Sequence, residues 1–304
     1  MTTKNDKHKF LNPNVNTLEP YVPGKQINDS EYVKLNTNEN PFGPSPRVKE
    51  TIIKFLENSE TLLRLYPEPE SDSLREVIAK RFAIESDQVF VGNGSDEVLS
   101  LCFLAFFAGR GCLSFPELTY SFYPSIAKLF KVPFSTFQLK KDFSLDLANI
   151  NPESESVIFP NPNAITGIAL SIDVIDRFVK ENPDKLIIID EAYADFGKGS
   201  CVSLINNYSN ILIIQTFSKS RGMAGLRVGF CFGSKALIDG LRAVKNSFNS
   251  YPVDTLATLA AISATQADLL FENNIENIVK TRSYFSQELE KIGFRVLPSS
   301  ANFV

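Results

Sequence analysis

Seven short apolar runs separated by helix-length stretches limit what this 304-residue chain can fold into. They lie at residues 88–91, 111–115, 132–137, 156–159, 186–189, 211–217 and 228–232. Strands alternating with helices form a mainly parallel sheet with helices on both faces, because each crossover helix must cover one face or the other. The predicted class is α/β. Ahead of the sheet, residues 1–45 carry Pro13, Pro20, Pro23, Pro41 and Pro44, which suits an extended arm better than a helix. Val48, Ile52, Phe55 and Leu56 then recur at helical spacing, as do Leu74, Val77, Ile78 and Phe82 after a capping-box pattern, Ser73-x-x-Glu76. Beyond Tyr251-Pro-Val-Asp254 the alternation gives way to a long helical region and a strand at 294–297. The change divides the chain into an N-terminal arm (1–45), a large domain (46–250) and a smaller α+β domain (251–304). The last residues, Ala301-Asn-Phe-Val304, read as the middle of another strand, so the smaller domain reads as truncated.

Composition removes several function classes. A net charge of −4 offers no basic surplus for neutralising phosphates, which argues against nucleic acid as a partner. No apolar run is long enough to span a bilayer, and Met1-Thr-Thr-Lys-Asn lacks the apolar core of a signal peptide. The one histidine, His8, sits in a polar N-terminal stretch, which argues against a Ser-His-Asp triad or a histidine-rich metal centre. Cys102, Cys112, Cys201 and Cys231 form no CxxC pair and read as buried thiols in a reducing compartment. Together these features predict a cytoplasmic protein whose partners are small molecules.

Ligands of open α/β sheets sit outside the carboxyl ends of strands, and each polar motif here falls where a predicted strand ends. Lys219 follows the run at 211–217, with Ser218 beside it and Arg227 eight residues on. A lysine can take an aldehyde covalently, and an arginine fork holds phosphate. Asp190, 29 residues upstream, ends the run at 186–189 and suits a protonated pyridine nitrogen. Either segment alone is equally well an ordinary strand end with solvated charges. Gly92-Asn-Gly94-Ser95-Asp96 opens a helix whose free N–H groups suit a phosphate, although a plain tight turn or a Rossmann loop would read alike. The third glycine of GxGxxG is absent, since Glu97 stands there, and no P-loop is present. Tyr120 follows the run at 111–115 and either stacks on a flat heterocycle or is a core tyrosine. Asn161-Pro-Asn163 is either a turn or a source of an amide for a phenolate oxygen.

Phe-Ser-Lys219-Ser-Arg-Gly-Met-Ala-Gly-Leu-Arg227, Asp190-Glu-Ala-Tyr193, Asn161-Pro-Asn-Ala-Ile-Thr-Gly167 and Gly92-Asn-Gly-Ser-Asp-Glu97 resemble the fold-type-I pyridoxal phosphate aminotransferases. Leu18-Glu-Pro-Tyr21, Leu35-Asn-Thr-Asn-Glu-Asn40 and Leu65-Tyr66-Pro are similar to the branch that acts on histidinol phosphate. The resemblance implies amino-acid and 2-oxo-acid substrates, pyridoxal 5′-phosphate as cofactor, no metal, and a homodimer. It implies that Lys219 holds the cofactor and that Asp190 pairs with its ring nitrogen. Tyr193, with Asn161 or Asn163, would contact the 3′-oxygen, and Tyr120 would stack on the ring. Backbone N–H groups of Ser95 and Asp96, with Ser218 and Arg227, would grip the phosphate. Tyr66 would reach the phosphate of the neighbouring subunit, and Tyr21 would lie over the neighbour's substrate pocket.

Two departures from the family pattern stand out. Ala164 takes the place of the asparagine in the family's Asn-Pro-Thr-Gly, so a neighbouring asparagine must substitute. The family's arginine for the substrate carboxylate belongs to elements after Ala-Asn-Phe; no residue here clearly replaces it, and Arg221 and Arg282 are only conceivable. An aromatic aminotransferase or an amino-acid-phosphate decarboxylase on the same fold is the near alternative. A non-catalytic chain that binds the cofactor, or a Rossmann dehydrogenase, is the alternative of another class.

Overall fold

A computed structural model describes residues 10–26, 31–266 and 268–304, so His8 lies outside the described residues. Each of the seven apolar runs becomes a strand. The strands are β1 (Val89–Asn93), β2 (Leu113–Pro116), β3 (Phe134–Phe137), β4 (Ser156–Pro160), β5 (Leu186–Asp190), β6 (Ile211–Thr216) and β7 (Val228–Gly233). They form one sheet in the order β1-β7-β6-β5-β4-β2-β3. Pairing is parallel from β3 through β6, and β7 runs antiparallel to both β6 and β1.

Alternation along the central strands builds two cores. Ile187, Ile189, Ile211 and Ile213 face one cluster, which holds Leu74 and Ile78 of α2 (Asp72–Phe82), Ile175 of α5 (Ile172–Glu181) and Ala257 and Ala260 of α7 (Thr255–Gln266). Ile188, Leu212 and Ile214 face the other, with residues of α3 (Gly94–Cys102), α4 (Phe122–Leu129) and α6 (Lys235–Phe248). Both faces are thus dry, which is why the strands read as unbroken apolar runs. Two further helices complete the set: α1 (Pro46–Ser59), in the region of Val48 and Ile52, and α8 (Asp268–Lys291).

Two local expectations change. Ser73 lies inside α2, and its amide and hydroxyl both donate to Glu68 Oε2, at 2.9 and 2.8 Å, so Glu68 and not Glu76 serves the start of the helix. The strands expected at 294–297 and at 301–304 do not form. Among the described residues no strand pairs with them; a loop and α8 hold the end instead, where Ser300 N donates to Gly167 O at 2.7 Å and Arg282 Nη1 to Ala301 O at 2.5 Å.

The reversed direction of β7 brings its start to the edge where β1, β4, β5 and β6 end, so Arg227 meets the N-terminus of α3. Gly229 lets the two approach: a Cβ there would lie 2.3 Å from both Gly94 C and Ser95 N. These are backbone atoms that cannot step aside. Gly229→Ala should therefore destabilise the fold by ~1–3 kcal/mol, the usual range for overpacking a tight site. A chemical-denaturation midpoint equal to that of the unsubstituted chain would refute this.

Candidate active site

The strand ends create one polar crevice. Asp190 closes β5 two residues after Ile188, so its carboxylate points to the α4 face of the sheet. Only 5% of it is exposed. Tyr123 of α4 donates its hydroxyl to Asp190 Oδ2 at 2.8 Å, and the Ala192 amide donates to Oδ1 at 3.1 Å. Burial pushes the Asp190 carboxyl up to about 6, although both hydrogen bonds and the nearby Lys219 favour its anion. Glu191, one residue on, points to the opposite face. It accepts from Cys201 N at 2.6 Å, Gln215 Nε2 at 2.9 Å and the Ser200 hydroxyl. Burial raises it likewise to about 6.

Lys219 lies just past the end of β6, next to Ser218. Its Nζ donates to Thr37 O at 2.7 Å and lies 5.6 Å from the centre of the Tyr193 ring. Burial lowers the Lys219 pKa; Glu39 and Asp96 oppose the shift, while Arg227 and Lys34 add to it. A buried lysine that sheds its proton more readily is the form of amine that attacks a carbonyl. Tyr193 accepts from Asn38 Nδ2 at 3.2 Å, and burial moves its phenol up to about 12. Tyr120 donates to Asp96 Oδ1 at 3.1 Å, and burial likewise pushes its phenol up.

The start of α3 supplies a cradle for an anion. Asn93 gives it no side-chain cap, so the N–H groups of its first turn depend on other partners. Gly94 has φ +79°, and a Cβ there would stand 2.4 Å from Arg227 Nη2. The absence of that Cβ is what lets the guanidinium approach the helix end. Arg227 Nη2 also lies 3.4 Å from Asp96 Oδ2. The Ser218 hydroxyl is 3.0 Å from Thr216 Oγ1 at the end of β6. Amide donors, a hydroxyl and an arginine fork form a donor set that suits a phosphate ester.

Other residues singled out from sequence behave differently. Asn161 makes reciprocal bonds with the Leu170 backbone, at 2.7 and 3.4 Å. Asn163 Oδ1 accepts from the Ile165 and Thr166 amides while its Nδ2 donates to Leu118 O at 2.9 Å. Both asparagines therefore shape the loop after β4. Tyr66 is 81% exposed and stacked on Tyr251 at 4.6 Å. The Tyr21 ring meets Tyr120 edge-on at 5.8 Å and Phe122 at 6.4 Å. Glu19 holds that segment against α4 through an ion pair with Lys128 and a carbonyl that accepts from Ser125 at 3.1 Å. The two arginines considered for a substrate carboxylate both have other partners. Arg221 donates to Ala264 O at 3.0 Å and lies 3.4 Å over the Phe271 ring, while Arg282 donates to Phe196 O at 3.1 Å and to Ala301 O.

Sequence reasoning missed Thr37, Asn38 and Asn40 as parts of this crevice. Asn40 Nδ2 donates to the carbonyls of Lys219 and Ser220, at 3.0 and 2.9 Å, and so fixes the turn that carries the lysine. Nothing in local periodicity signals a contact 179 residues away. Tyr123 was missed as well; its one signal is its place three residues after Tyr120, at the start of α4.

Residues 30–304 match the family model for aminotransferase class I and II. The chain belongs to that family. It is 48% identical over 299 residues to histidinol-phosphate aminotransferase 1 of Bordetella parapertussis, covering 97% of this chain and 83% of that protein. The crystal structure of the histidinol-phosphate aminotransferase from Clostridium acetobutylicum superposes with a TM-score of 0.77 at 28% identity, over 87% of this chain and 79% of that one. The Sinorhizobium meliloti histidinol-phosphate aminotransferase, solved in complex with pyridoxal-5′-phosphate, shares the fold with a TM-score of 0.78 at 20% identity, over 87% and 72%. Among the described residues of this aminotransferase, no helix is long and apolar enough to cross a membrane.

The charges around Lys219 give a directional prediction. Glu39 holds the Lys219 pKa up, so Glu39→Gln should lower it further, and the amine should lose its proton at a lower pH. Reductive alkylation of Lys219, followed against pH by mass spectrometry, should then have its midpoint displaced toward acid. An unmoved or alkaline-shifted midpoint would contradict the assignment.

Proposed function

We propose that the chain is a pyridoxal phosphate enzyme that transfers the amino group between L-histidinol phosphate and 2-oxoglutarate in histidine biosynthesis, working as a cytoplasmic homodimer. The observation that carries this reading is the meeting of Lys219, Asp190 and the α3 N-terminus along one sheet edge. The 48% identity to a curated histidinol-phosphate aminotransferase supports the substrate.

When bound, pyridoxal phosphate supplies a conjugated ring that draws off the electrons of the substrate Cα–H bond. The residues supply the rest. The α3 amides of Ser95 and Asp96, with Ser218 and Arg227, hold the phosphate and so fix where the ring lies. Tyr120 would lie against one ring face. Asp190 keeps the ring nitrogen protonated by pairing with its N–H. Tyr193 would offer its hydroxyl to the 3′-oxygen, with an amide of Asn163 or Asn161 beside it. Lys219 Nζ, whose burial favours the neutral amine, accepts the proton from the substrate Cα and holds it for return. Tyr66, being exposed, is available to a second subunit's phosphate, and Tyr21 to a substrate pocket. The reading divides the chain into an arm (1–45), a large cofactor domain (46–250) and a smaller domain (251–304).

Two substitutions test the reading. After borohydride reduction of the cofactor-loaded protein, the label should map to the peptide containing Lys219 and vanish in Lys219→Ala; a label elsewhere would overturn the assignment. Asp190→Asn should keep the fold and reduce turnover with histidinol phosphate about a hundredfold or more, because an amide cannot pair with the ring nitrogen as an anion. Near-normal turnover in that variant would remove Asp190 from the mechanism.

A further inference from the structure

Tyr123 is fully buried, and its hydroxyl bonds to Asp190. Its ring lies edge-on to Phe115 at 6.0 Å and to Tyr120 at 5.9 Å, so the hydroxyl cannot turn away without moving packed aromatic rings. Asp190 thus receives one donor from α4 and one from the backbone after β5, a single bond to each oxygen, and each oxygen keeps a free acceptor position. The remaining ionisable groups that act on it are Asp96 from α3, Lys219 from the turn after β6, and the phenols of Tyr120 and Tyr193. Burial and the Asp190 charge keep the proton on Tyr123, so the bond has one polarity at neutral pH: the phenol donates and the carboxylate accepts.

We propose that Tyr123 is a positioning residue, whose hydrogen bond fixes the orientation of the Asp190 carboxylate toward the ring nitrogen of pyridoxal phosphate. This inference rests on the proposed cofactor role of Asp190. A packing role would need only the ring, which phenylalanine supplies equally well. The hydroxyl does something the ring cannot, since without it one oxygen of a buried carboxylate loses its side-chain donor.

The test compares two ligands in the apo-chain by fluorescence titration: pyridoxal phosphate, and its analogue in which CH replaces the ring nitrogen. Tyr123→Phe should weaken pyridoxal phosphate about tenfold, as loss of a hydrogen bond to a charged group does, and leave the analogue within about twofold. Equal weakening of both ligands, or of neither, overturns the proposal, because a role through Asp190 must depend on the ring nitrogen. Should Tyr123→Phe not fold, Asp190→Asn is compared with Asp190→Asn/Tyr123→Phe. With the carboxylate gone, the second substitution should change pyridoxal phosphate affinity by no more than about twofold, and a tenfold loss there overturns the proposal. If the unsubstituted chain binds both ligands equally, Asp190 does not pair with a ring nitrogen, and the cofactor reading itself fails.

Discussion

Two consecutive carboxylates at the end of β5, both buried and pointing to opposite faces of the sheet, set the terms for the rest of the site. A buried carboxylate is tolerated only where donors surround it. Asp190 therefore requires Tyr123 from α4 and the Ala192 amide. Glu191 requires Gln215 from β6 and the backbone at Cys201. Satisfying the pair ties β5 to its neighbouring strand, to a helix on one face and to a loop on the other.

A second constraint comes from the segment ahead of α1. Thr37 O accepts from Lys219 Nζ, and Asn40 bonds to the carbonyls of Lys219 and Ser220. The same segment passes so close to the lysine turn that a Cβ on Gly222, at φ +64°, would lie 2.6 Å from Phe42 O. Asn302, near the other end of the chain, donates to Asn38 O at 2.9 Å. The lysine is therefore held from the strand that carries it and from one distant segment, which the other end of the chain braces in turn. This arrangement limits the volume its amine can sweep, which is what positioning a reactive group requires.

Much of the fold was legible because it is written in local periodicity. All seven apolar runs are strands, and the helical spacings at 48–56 and 74–82 fall in α1 and α2. Errors arose where a segment's state depends on its neighbours. Residues 294–297 have strand-like composition but no strand beside them. Ser73-x-x-Glu76 has the spacing of a cap, but Glu68 reaches the helix start first. Arg221 and Arg282 are the right residue type for a carboxylate, and each bonds to a backbone carbonyl here. Residue type alone cannot say which partner a long side chain meets.

From the sequence alone came the α/β class, the strand ends at Asp190 and Lys219, the glycine turn at 92–94 and the family likeness those motifs carry. Each depends on residues within about one element of one another, where spacing dictates geometry. Tertiary structure decided the rest. It reversed β7, so that Arg227 reaches the α3 N-terminus; it chose Tyr123 as the partner of Asp190 and Thr37 as the partner of Lys219; and it turned both asparagines of the β4 loop toward nearby backbone. Several of these contacts join residues far apart in the chain, and those depend on strand order and direction. Those are set by the packing of two cores at once, a property of the whole chain that no local spacing encodes.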